Sequence, residues 1–117
     1  MPLLVAQCHC RNCRRQSGSA FSVNLLVPAK ALAVSGKVSV YADPETESGE
    51  PVLRKFCPEC GSPLFSESRS MGGLAVVKAG TLDDPAPFPP SVSVWTESRL
   101  PWVDFPEGQK TFPRNAS

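Results

Sequence analysis

Five cysteines in two clusters are the residues here whose type and spacing could do chemistry. The first cluster is Cys8-His9-Cys10-Arg11-Asn12-Cys13. In extended chain, alternate side chains share a face, so Cys8 and Cys10 project together. A turn into a helix after Cys10 would bring Cys13 round to the same side. Three thiolates can therefore converge from six residues. A tetrahedral zinc held by three protein ligands keeps one position open, the arrangement of a catalytic rather than a structural site. The second cluster, Cys57-Pro58-Glu59-Cys60-Gly61, has the form of a zinc knuckle. Two residues between the thiolates let one tight turn aim both sulfurs at a single ion; Pro58 presets the turn and Gly61 lets the chain reverse. A redox Cys-x-x-Cys would want a helix N-terminus after the motif, whereas Gly61-Ser62-Pro63 leads into a strand. The spacing also allows some of Cys8, Cys10 and Cys13 to close a four-cysteine site with Cys57 and Cys60. The one histidine, His9, lies between two cysteines on a common face and is expected to point away from them, as a surface or core residue.

The compartment bears on how the thiols are read. The first residues, Met1-Pro2-Leu3-Leu4-Val5-Ala6, lack the charged-then-apolar plan of a signal peptide, and no run approaches a membrane span. The expected location is the cytoplasm, where clustered cysteines act as metal ligands more often than as disulfides. Twelve basic and eleven acidic side chains give a net charge of +1. That balance lacks the basic stripe of a nucleic-acid binder, and no membrane association is expected.

The elements that must position these cysteines are short. With 117 residues, 41% of them hydrophobic and 20% charged, the chain suits one domain, 1–117, with one modest core. Thirteen prolines and eight glycines interrupt any long helical period. Asn12 to Gly18 reads as a helix of two turns or less. The segments Phe21–Val27, Lys37–Ala42, Val52–Phe56, Leu64–Ser66, Leu74–Ala79 and Ser91–Thr96 read as strands, each bounded by turn-forming residues. Ser70-Met71-Gly72-Gly73 reads as a hairpin tip. Asp83 to Pro90, with four prolines, reads as a stiff extended loop, and Gly80 to Pro85 as a turn. Trp95 and Trp102 are expected to pack in the core or under loops. The fold class is all-β with one short helix and zinc knuckles.

The segment from Cys8 to Gly18 resembles the signature of the glutathione-dependent formaldehyde-activating enzyme family, which includes relatives of centromere protein V. The likeness continues through Phe56-Cys57-Pro58-Glu59-Cys60-Gly61-Ser62-Pro63-Leu64, Val77-Lys78-Ala79-Gly80-Thr81-Leu82-Asp83-Asp84-Pro85 and Trp95-Thr96-Glu97-Ser98-Arg99-Leu100-Pro101-Trp102-Val103. The resemblance implies a small Mss-like β-tent and a carbon–sulfur lyase that joins glutathione to formaldehyde. It also implies that Cys8, Cys10 and Cys13 hold a catalytic zinc. In the family pattern the pair matching Cys57 and Cys60 shares a structural zinc with an upstream Cys-x-Cys. Only seven residues precede Cys8, so that pair is absent from this sequence. Either the true chain starts earlier than Met1 or two ligands have been lost; in the second case Cys57 and Cys60 are expected to recruit others, most economically from Cys8, Cys10 and Cys13. The missing strand is expected to expose an edge that favours a homodimer.

The expected cofactor is zinc and the expected partner is glutathione or a similar small thiol. Arg14 and Arg15 could pair with its carboxylates, while Gln16 and Ser17 could add hydrogen bonds; read without the resemblance, all four are solvated residues of a short exposed helix. The leading function is a zinc-dependent carbon–sulfur lyase acting on thiol adducts of small aldehydes. The competing function is a non-catalytic zinc domain, and a zinc-ribbon nucleic-acid binder is disfavoured by charge.

Overall fold

A computed structural model describes residues 2–44 and 49–114; Met1, residues 45–48 and residues 115–117 of the expected 1–117 domain lie outside the described residues. The chain forms, in order, strand β1 (Leu4–Cys8), helix α1 (Arg11–Ser17), β2 (Ser22–Pro28), β3 (Ser39–Asp43), β4 (Val52–Phe56), β5 (Pro63–Ser68), β6 (Leu74–Lys78), β7 (Val92–Val94) and β8 (Lys110–Thr111). All eight strands join one sheet in the order β3-β4-β5-β6-β2-β1-β7-β8. From β3 to β1 the neighbours are antiparallel, whereas β1, β7 and β8 run parallel to one another. The protein is thus mostly β-sheet with one short helix. Among the described residues no helix is long and apolar enough to cross a membrane.

The sheet has two unlike faces, because side chains alternate along each strand. One face is apolar: Val5 stands opposite Leu25 and Leu25 opposite Val77. Val5, Leu25 and Ala79 form its buried centre, and Val23, Leu82 and Phe88 pack against it. The other face mixes polar with apolar side chains, Asn24 and Lys78 with Ala6 and Val76, and there Asn12 of α1 donates to both carboxylate oxygens of Asp43 at 3.3 and 3.2 Å.

Helix α1 is short because both ends are tightly specified. Its N-cap is Cys10, whose sulfur accepts from the Cys13 amide at 3.2 Å. At the other end Gly18 takes φ 64°, its N–H donates to the Arg15 carbonyl and Ser19 donates to Arg14. That pattern is a Schellman ending, which glycine accepts without the penalty of a Cβ.

The expected elements fall close to these, with four informative differences. β1 goes unread because Leu4–Cys8 is a short apolar run beside the first cysteine cluster, and β8 because it has only two residues. The strand expected over Ser91–Thr96 stops at Val94, since Trp95 adopts φ 56° and ψ 40°, outside the extended region. The loop over Asp83–Pro90 is not simply extended: Phe88 donates to the Pro85 carbonyl at 3.0 Å and Asp84 accepts from the Ala86 amide at 3.2 Å. Proline's fixed φ suits a turn as well as an extended chain, and this turn drops Phe88 onto the apolar face. Trp95 is buried, but Trp102 is 72% exposed and packs little.

Candidate metal centre

Cys8 is the last residue of β1, Cys10 the cap of α1, and Cys13 lies in its first turn. The ladder to β7 runs one residue beyond the strand, as His9 donates to the Val94 carbonyl at 3.1 Å. That bond holds residues 8 to 10 extended, so Cys8 and Cys10 share a side and His9 takes the other. The His9 ring is fully buried, 5.1 Å from Phe21 and 5.4 Å from Phe105 between centroids. Neither of its ring nitrogens has a hydrogen-bond partner.

The sulfurs of Cys8, Cys10 and Cys13 all lie within 4.8 Å of one another. Zinc–sulfur bonds of about 2.3 Å put two sulfurs of a tetrahedral site about 3.8 Å apart, so a small contraction would close these three on one ion. Trp95 packs on Cys8 and Cys10, with Cys13 and Val94 alongside. Its ring carries the Arg114 guanidinium at 4.5 Å, and its amide donates to the Arg114 carbonyl.

The thiols share charge unequally. Hydrogen bonds from Cys10 and then Cys8 hold the Cys13 thiol well below its ordinary pKa, with the charges of Lys78 and Arg54 helping. The bond to Cys13 pushes Cys10 up to about 11, and bonds to Cys10 and Cys13 push Cys8 up. A cation among the three sulfurs would take the place of their protons. Burial lowers the pKa of Lys78, opposed by the sulfurs of Cys13, Cys8 and Cys10. Burial also works against the charge of Arg54, but its hydrogen bond to Asp43 and the Cys13 sulfur outweigh that, and its pKa is raised.

Cys57 and Cys60 stand elsewhere and do not join this group. Their knuckle is well formed: Cys57 donates to the Ser62 carbonyl at 2.9 Å, Gly61 donates to Cys57 at 2.8 Å, and Gly61 takes φ 77°. The Cys60 sulfur lies 3.1 Å from the Ser62 hydroxyl, which is the main cause lowering its pKa. Cys60 is exposed and Cys57 half-buried.

Of the four residues expected to meet a substrate, two line a common space. Arg15 and Gln16 border a cleft of ≈ 580 Å³ between α1 and the β3–β4 hairpin, with Arg11, Tyr41 and Arg54. Arg14 and Ser17 do not line it; the Ser17 hydroxyl donates to the Arg14 carbonyl at 3.2 Å. Arg54, Lys78 and Trp95, which the sequence reading gave no role at the site, all bear on the cysteines.

Sheet, helix and cysteines together define a small β-sheet protein with a three-cysteine cluster able to hold a metal ion. The sequence profile of the family described as "Glutathione-dependent formaldehyde-activating enzyme" matches residues 1–98, and the chain belongs to that family. It is also 38% identical over 58 residues to a protein of Emericella nidulans named "Putative glutathione-dependent formaldehyde-activating enzyme". That match covers 50% of this chain and 28% of the Emericella protein.

Proposed function

We propose that this chain is a zinc-dependent carbon–sulfur lyase acting on adducts of glutathione, or a similar small thiol, with a small aldehyde such as formaldehyde. Family membership supplies the substrate class. The observation that carries the reading is the convergence of the Cys8, Cys10 and Cys13 sulfurs. Three soft donors suit zinc and leave its fourth position to an exchangeable ligand. Zinc held there would supply Lewis acidity and favour the thiolate form of a thiol in the open position.

The chain's own residues do the rest. The end of β1 and the start of α1 fix the three sulfurs on adjoining backbone, and Trp95 shields Cys8 and Cys10 from water. Arg11 and Arg15, four residues apart on α1, present positive charge to the cleft, where the carboxylates of a thiol peptide would pair with them. Gln16 borders the same space with a buried amide oxygen that has no partner, an acceptor for a peptide N–H. In this reading Cys57 and Cys60 supply two ligands of a second zinc site, and the sheet is the Mss-like β-tent the resemblance implies. Calorimetry of zinc-loaded protein with glutathione tests it: weak binding that disappears in Cys10→Ser is expected. No heat for the parent protein would leave a non-catalytic zinc domain as the function.

A further inference from the structure

The second face of the sheet carries a set of buried polar side chains, interrupted by Val76 opposite Ser66, that reaches the cysteines. Asp43 on β3 accepts from Arg54 Nε on β4 at 2.9 Å, and Arg54 stands opposite Ser66 on β5. On β6 Lys78 stands opposite Asn24 on β2 and donates to its side-chain oxygen at 3.1 Å. Asn24 Nδ2 donates in turn to the Ser22 hydroxyl at 3.1 Å, and Ser22 stands opposite Cys8. Each of these six polar side chains belongs to a residue no more than 7% exposed. Such a set inside a small protein calls for a reason, because buried charge is costly unless it is paired.

Its charges do not cancel. Arg54 and Lys78 are two cations and Asp43 is one anion, which leaves 2 − 1 = +1. Asp43 is already engaged by Arg54. Among the described residues no carboxylate lies within 4.0 Å of Lys78, whose hydrogen-bond partner is a neutral amide. Three thiolates around a divalent ion carry 2 − 3 = −1, equal and opposite to the set.

We propose that Lys78, held by Asn24, is a positioning residue of the metal centre, supplying the buried counter-charge that stabilises three thiolates around a divalent ion. The inference rests on the proposed reading that Cys8, Cys10 and Cys13 bind zinc. It explains why a lysine stands where β6 would otherwise place an apolar side chain.

Competition between the metal-free protein and a chromophoric chelator for zinc provides the test, with cobalt absorption reporting the sulfur ligands. Lys78→Met removes the charge and keeps the length; Asn24→Asp keeps the lysine and sets a carboxylate beside it. Both should weaken zinc binding about 10- to 100-fold, the range found for groups that support metal ligands from behind. The melting temperature of each variant should fall further below the parent's in the zinc-loaded protein than in the metal-free one. Zinc affinities within about twofold of the parent in both would overturn the inference, as would equal losses of melting temperature with and without metal. If Lys78→Met does not fold, Asn24→Asp decides alone, because it leaves the lysine stem in place. A parent protein that binds no zinc would overturn the reading beneath; a parent that binds it while the variants match would overturn only the role of Lys78.

Discussion

The amide of Cys13 donates to the sulfur of Cys10 at 3.2 Å, so the group that caps α1 is also one of the three clustered sulfurs. Helix cap and candidate metal ligand are therefore one atom, and the two roles can be separated by substitution. Cys10→Ser keeps a strong cap and loses the soft ligand; Cys10→Ala loses both. Zinc content should fall in each, while metal-free Cys10→Ala should be less stable than Cys10→Ser by about 1 kcal/mol. Metal analysis and chemical denaturation check the pair.

Zinc should copurify at one tightly held equivalent per chain, with any second equivalent held more weakly, because the knuckle brings only two sulfurs. Cys57→Ser and Cys60→Ser should remove the weaker fraction and lower the melting temperature with it. Parent-like melting in both would show the knuckle to be an ordinary turn.

Glutathione binding should depend on the cleft and not on the rest of α1. Arg11→Gln and Arg15→Gln should each weaken it about two- to fivefold, as expected for solvent-facing ion pairs. Arg14→Gln should leave it unchanged, since Arg14 does not line the cleft. Added salt should weaken binding to the parent more than to the double variant.

His9 stands buried between Phe21 and Phe105 with both nitrogens unpaired, so His9→Phe should hold or raise stability, by about 1 kcal/mol. Burial first, and the nearby charge of Arg99 second, lower the His9 pKa from 6.5. The folded chain then refuses a proton that the unfolded chain accepts. The stability contributed by neutral His9 is full above the unfolded value and is lost as the pH falls towards the lowered folded one. Melting of metal-free protein between neutral and mildly acid pH should therefore fall more steeply for the parent than for His9→Phe.

The legible part of this protein was local. The cap and turn residues around Cys8 to Gly18 announce α1, and the run Val52–Phe56 announces β4 to the residue. What stayed hidden needs the register between strands. Arg54, Ser66 and Lys78 each look like the outward residue of a half-buried strand, and only cross-strand pairing shows them in one buried set. The bend at Trp95 was equally silent, because no sequence rule puts a tryptophan at φ 56°. Arg14 to Ser17 divide for a simpler reason: a helix turns about 100° per residue, so of four consecutive side chains only some can face one cleft.

The parallel pairing of β1 with β7 also sets an order of events during synthesis. Val5 and Gln7 find their partners Ser91 and Ser93 86 residues later in the chain. At about 5–20 residues per second, a ribosome takes roughly 4 to 17 seconds to make that stretch. For the later part of that interval the three thiols are clear of the ribosome while the tryptophan that packs on them has yet to be made. A nascent chain meeting zinc in those seconds would be loaded first and closed afterwards, with the last strands sealing an already occupied site.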